Sequence, residues 1–158
     1  MGLLKQGYKM KITNAEKVDI PQLYQLQRLA FQSEAEMIGS CEVPALQETE
    51  EEFCSDFANW TTLKLLNNAG EIIGAIRYRL SLNFVEVGRL MVHPNYRRRG
   101  LAQKLLAEVD LKCPGLPKEL YTCTKSWVNI LLYEKMGYKA YKKHTEKTGL
   151  SFVHFKKQ

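Results

Sequence analysis

Val92-His93-Pro94-Asn95-Tyr96-Arg97-Arg98-Arg99-Gly100-Leu101-Ala102 joins an apolar, strand-like run to a helix-like run through three consecutive arginines and a glycine. A helix start leaves its first N–H groups without backbone partners and carries the positive end of the helix dipole, so anions settle there. Gly100 bears no side chain and lets a bulky phosphate approach the main chain. Arg97, Arg98 and Arg99 add charge and forked donors suited to phosphate oxygens. The segment predicts an anion-binding strand–loop–helix whose guest is a phosphorylated cofactor.

Outward from this loop the chain alternates strands and helices. Val85–Val92 reads as a strand, and Gly100 to Lys112 as a helix with Ala102, Leu105, Leu106 and Val109 on one face, stopped by Cys113-Pro114-Gly115. Upstream lie a strand at Lys9–Asn14 and a helix capped by Asp19 with Pro21 in its first turn. Leu23, Leu26 and Ala30 mark the buried stripe of that helix. Glu48–Ala58 reads as a further helix, and Thr62–Leu66 and Ile72–Leu82 as a hairpin around Asn67-Asn68-Ala69-Gly70. In the second hairpin strand Ile76, Tyr78 and Leu80 share one face, Arg77, Arg79 and Ser81 the other.

Downstream come a strand at Glu119–Thr124, a helix capped by Ser126 and running to Met136, and Gly137 as its left-handed terminator. Tyr138–Lys143 and Ser151–Lys156 form a last hairpin. Hairpins followed by a strand–helix–strand crossover predict an α/β (α+β) fold with a mixed sheet.

Arg97-x-x-Gly100-x-Ala102, preceded by Gly88-Arg89-Leu90-Met91-Val92-His93-Pro94, resembles the acetyl-CoA signature of the GNAT acetyltransferase superfamily. Asn129-Ile130-Leu131-Leu132-Tyr133-Glu134-Lys135-Met136-Gly137-Tyr138 resembles the later helix and strand of the same superfamily, in the expected order. The resemblance implies a mostly antiparallel sheet of about seven strands with flanking helices, splayed between the fourth and fifth strands, where acetyl-CoA enters as cosubstrate. It implies that the fourth strand bulges near Leu90 or Met91 and aims a backbone N–H at the thioester oxygen. Main-chain groups at Leu90, Met91 and Val92 would then hold the pantetheine arm, and Arg97, Arg98, Arg99, Gly100, Leu101 and Ala102 the phosphates. The side chains of Leu90 and Val92 also read as core filling.

The resemblance gives Tyr133 the role of the acid that protonates the departing thiolate. A tyrosine hydroxyl is protonated at neutral pH without tuning, although an aromatic at a helix–sheet boundary also packs there for its own sake. Many members carry an asparagine seven positions before this tyrosine. Here Ser126 stands there, and cofactor contact passes to Asn129 as well. Glu86, a carboxylate between Val85 and Val87, is the candidate base that draws a proton from the amine; its other reading is a cross-strand ion pair with Arg77 or Arg79. His93 reads as a strand-end residue.

Composition bounds the alternatives. A chain of 158 residues, 45% hydrophobic and 25% charged, fits one acetyltransferase domain over 1–158, with 1–9 as a loose leader. The net charge of +6 is concentrated at Arg97–Arg99, where a phosphorylated cofactor accounts for it, so no nucleic-acid partner is expected. No apolar run suits a membrane span, and Gln6 stands where a myristoylation signal needs Ser or Thr. Cys41, Cys54, Cys113 and Cys123 lack C-x-x-C spacing and the histidines are scattered, so neither a metal site nor a disulfide framework is expected and the cytoplasm is the expected compartment.

The function implied is acetyl transfer from acetyl-CoA to a primary amine by direct attack in a ternary complex. The alternative is a non-catalytic acyl-CoA-binding domain on the same scaffold. The acceptor is a small-molecule amine, or a lysine or N-terminal amine of a protein, and a homodimer is compatible with the chain. Gln47-Glu48-Thr49-Glu50-Glu51-Glu52 suggests a negative rim for a cationic acceptor, or simply complements a helix dipole.

Overall fold

The computed structural model describes residues 10–40 and 42–158; the expected leader, Lys9 and Cys41 lie outside the described residues. The elements in chain order are β1 (Lys11–Asn14), α1 (Ile20–Ile38), the short α2 (Pro44–Gln47), α3 (Glu50–Phe57), β2 (Thr61–Leu66), β3 (Ile72–Leu80), β4 (Val85–Val92), α4 (Leu101–Lys112), β5 (Lys118–Cys123), α5 (Trp127–Lys135), β6 (Lys139–Thr145) and β7 (Ser151–Lys157). They build one seven-stranded sheet in the order β1-β2-β3-β4-β5-β7-β6.

Every pairing is antiparallel except β4 with β5. That parallel contact holds only at Val85↔Lys118 and Glu86↔Glu119, after which the strands part. On one face α4 and α5 bury Leu101, Leu105, Leu106, Val109 and Tyr133 against Leu63, Ile76, Val85, Val87 and Phe155. On the other, Ile20, Leu23, Leu26 and Ala30 of α1 and Phe53 of α3 pack on Ala75 and Met91. Leu105 and Leu23 have no exposed surface, so truncating either to alanine should cost about 2–5 kcal/mol.

Several local expectations are corrected. Asp19 precedes α1 but its side chain makes no cap; the carboxylate accepts from the Glu16 amide and pairs with Lys64 at 2.8 Å. The helix expected over Glu48–Ala58 is broken: Glu48 is extended, and α3 starts after Thr49, whose hydroxyl and the Glu52 carboxylate form a reciprocal capping box. Leu80, expected to face inward with Ile76, is 69% exposed at the end of β3. Ser126 sits at the N-terminus of α5 without capping it.

Candidate active site

In β4, Arg77 pairs with Gly88 but Ala75 pairs with Met91, so one residue of β3 opposes two of β4. This is a β-bulge, and Arg89 within it takes a left-handed conformation (φ 47°). The bulge also switches the parity of the strand. Val85 and Val87 face the α4–α5 core before it, Leu90 and Val92 face that core after it, and Met91 turns to the α1 core. It falls where β4 leaves β5, so the extra residue borders the gap between the strands.

Beyond β4, Pro94–Tyr96 makes a 3₁₀ turn closed by the Asn95 amide donating to Nδ1 of His93 at 3.1 Å. His93 therefore ends the strand by capping. Arg98 (φ 62°) and Gly100 (φ 73°) are both left-handed, and Gly100 is the residue from which α4 starts. Beyond its chain neighbours, no atom lies within 4 Å of where a Cβ on Gly100 would sit, so the space beside the start of α4 is open. A phosphate fits this cradle. Arg97 donates to Ser33 Oγ at 2.7 Å, which ties the loop to α1, and the Arg99 guanidinium lies 5.1 Å from the Tyr96 ring.

A cleft of about 530 Å³ opens between the parting strands, and its lining includes Glu34, Arg77, Arg79, Glu86, Arg89, Leu90, Asn129 and Tyr133. Tyr133 is almost fully buried, and burial, with the nearby charge of Glu34, holds its hydroxyl well above the ordinary tyrosine range. Glu34, near the end of α1, accepts from Ser126 Oγ at 2.5 Å and from Asn129 Nδ2 at 3.0 Å. Burial raises its proton affinity, only partly opposed by the Ser126 hydrogen bond and the charge of Arg97. Sequence reading missed Glu34. The signal was available: Leu23, Gln27, Ala30 and Glu34 share one helical stripe, and polar residues on a stripe that faces the core need a reason to be there.

Glu86 accepts two hydrogen bonds from Arg79, at 3.0 and 3.2 Å, across β3 and β4 at the cleft edge. The acidic run takes no part in the lining. Glu48 turns inward to Gln27 (2.8 Å) and Arg89 (3.6 Å), Glu52 closes the capping box, and Glu50 and Glu51 are exposed. The opposite wall is aromatic, with Tyr121 stacked on His154 and Phe152 edge-on to Tyr121. Among the described residues no cluster of His, Cys, Asp or Glu could hold a metal ion, and no helix is long and apolar enough to cross a membrane.

Residues 32–158 match the family described as Acetyltransferase (GNAT) domain. The UPF0157 protein YqkA of Bacillus subtilis (strain 168) is 28% identical over 110 residues, covering 69% of this chain and 31% of that protein, so the chain spans about a third of its relative. Among solved structures, the ribosomal-protein-S18-alanine N-acetyltransferase from Escherichia coli is similar with a TM-score of 0.75 and 20% identity over 94% of this chain and 93% of that one. The PaiA N-acetyltransferase from Thermoplasma acidophilum, in complex with coenzyme A, gives 0.73 and 18% over 95% and 99%. Arabidopsis thaliana NAA60, with a bisubstrate analogue, gives 0.74 and 16% over 94% and 97%.

Proposed function

This chain belongs to the GNAT acetyltransferase family, whose cosubstrate is acetyl-CoA, and we propose that it transfers the acetyl group to a primary amine by direct attack in a ternary complex. The observation that carries the reading is the convergence on one cleft of the Arg89 bulge, Asn129 and Tyr133, beside the helix start at Gly100. A binding domain has no need of a buried hydroxyl there.

Each residue has a separate task. The left-handed loop and the first amides of α4 hold the pyrophosphate, with Arg97, Arg98 and Arg99 supplying charge. Main-chain groups of Leu90, Met91 and Val92 hold the pantetheine arm as an added strand would be held, and Asn129 offers polar contacts from α5, whereas Ser126 has no exposed surface and gives its hydroxyl to Glu34. A main-chain N–H freed at the bulge donates to the thioester oxygen as negative charge gathers on it. Losing one such donor typically costs about 10²–10³ in rate.

The amine nitrogen bonds to the thioester carbon, the C–S bond breaks with its electron pair leaving on sulfur, and Tyr133 delivers a proton to that sulfur. The proton released by the amine goes to a carboxylate. Glu86 is bound by Arg79 and Glu34 by Ser126 and Asn129; of the two, Glu34 has the raised proton affinity that suits it to accept from an ammonium directly or through water, so Glu34 is the favoured base. Acceptors span small-molecule amines and the lysine or N-terminal amines of proteins; the Escherichia coli structure, by its name, concerns an enzyme of that second kind.

The test is free-thiol release from acetyl-CoA across an amine panel. Release that depends on the amine supports the reading. Tight coenzyme A binding with no amine-dependent release would instead make the chain a binding domain.

A further inference from the structure

We infer that the acceptor carries a carboxylate close to its amine, as an amino acid does, and that Arg77, Arg79 and Arg89 read it on the wall of the cleft. The inference rests on the acetyl-transfer reading and names its substrate class. All three guanidiniums line the cleft, whereas Glu50, Glu51 and Glu52 do not. The lining also carries Glu34, Asp56, Glu86 and Glu119, so an acceptor with both charges finds carboxylates for its ammonium and guanidiniums for its carboxylate.

Those donors are incompletely used. The Arg77 and Arg89 side chains are only 14% and 19% exposed. Arg77 reaches Asp56 at 3.3 Å, Arg89 reaches Glu48 only at 3.6 Å, and the Nε of each is buried without a hydrogen-bond partner. A guanidinium offers five donors, so each fork has capacity left. Burial and then the charge of Arg89 pull Arg77 down to about 10; the attractions of Asp56 and Glu48 follow behind. Two like charges thus share a poorly hydrated corner, and a carboxylate between them relieves both.

The arginines are also pre-arranged. The guanidinium carbons of Arg77 and Arg79 each lie 4.1 Å from the Trp60 ring centre, so one indole holds both groups in place. Arg89 is itself the bulge residue, so this anion corner adjoins the strand segment beside which the thioester is proposed to lie. Glu34, on α1, lines the same cleft and supplies a negative pole for the ammonium end. A zwitterion therefore finds both its charges answered.

The experiment compares amino acids with their carboxamides and decarboxylated amines as acceptors. The carboxylates should be preferred by roughly ten- to a hundredfold in kcat/KM. The preference should shrink toward unity in Arg79→Gln, which spares the buried Arg77 and the bulge residue Arg89, while coenzyme A affinity is unchanged. Carboxamides or polyamines accepted equally well or better would overturn the inference. If no amine at all is acetylated, the acetyl-transfer reading fails by itself. The anion site is then decided by calorimetry of N-acetyl amino acids against N-acetyl amino acid amides, titrated into the coenzyme A-loaded protein. Tighter binding of the carboxylates would support the site, and equal or absent binding would overturn it.

Discussion

Ser126 and Glu34, 92 positions apart in the chain, are joined by a 2.5 Å hydrogen bond in which the serine hydroxyl donates to the carboxylate, tying α5 to α1 across the cleft. The same carboxylate takes Asn129, so both polar residues of the cofactor side are held by one buried charge.

That charge has a stability cost with a definite sign. Burial raises the Glu34 carboxyl from its ordinary 4.5, so the folded state binds the proton more tightly than the unfolded one. Its contribution is most favourable below the unfolded value and is lost as pH rises through the folded one. Glu34→Gln keeps an acceptor for Ser126 and Asn129 without the charge. Melting curves between about pH 4 and 8 should show the variant gaining on the wild type as pH rises. A constant difference would show that Glu34 is not desolvated.

Tyr133→Phe keeps the ring that packs on Tyr138 and Phe155 and removes only the hydroxyl. If the hydroxyl protonates the thiolate, kcat falls by about 10²–10⁴ while KM for acetyl-CoA stays near its starting value. Steady-state kinetics, with circular dichroism to check the fold, reads this; full activity in the phenylalanine variant would leave the tyrosine a packing residue.

The Gly100 cradle predicts that calorimetry finds coenzyme A bound far more tightly than pantetheine lacking the phosphates. Gly100→Glu should abolish that difference, since its φ of 73° disfavours any side chain and the new carboxylate would stand where phosphate is drawn. Equal affinities for coenzyme A and pantetheine in the wild type would remove the phosphate site from the account.

At the bulge, Arg89 holds a φ of 47° that a β-branched residue tolerates poorly and glycine accepts freely. Arg89→Val should therefore lower stability by about 1–3 kcal/mol relative to Arg89→Gly, measured by chemical denaturation. A valine variant as stable as the glycine variant would mean that the bulge is not fixed by this residue.

Much of this arrangement was legible in the residues themselves. β4 has the expected limits, Val85–Val92, and the shift from Val87 to Leu90 in the inward pattern carries the mark of the bulge. Gly100 could be placed because only a residue without a side chain suits both a left-handed turn and an open helix start. Glu34 was legible only as a polar residue on the inward stripe of α1; its partners lie 92 and 95 positions away and no local rule connects them. For the same reason Ser126 read as a cap: its local preference gave way to a buried carboxylate from another element. Glu48 read as helical because its acidic neighbours are, yet its side chain is drawn inward by Gln27 and Arg89.

Direct transfer from acetyl-CoA to an amine within this cleft is read by a single-turnover experiment with acetyl-labelled acetyl-CoA. Protein loaded with the labelled thioester is mixed with amine, quenched at intervals and resolved by mass spectrometry. Direct transfer passes label from the thioester to the amine with none on the protein at any time, and that transfer is lost in Tyr133→Phe. Label retained on the protein, or none on any amine while the thioester stays bound, would contradict it.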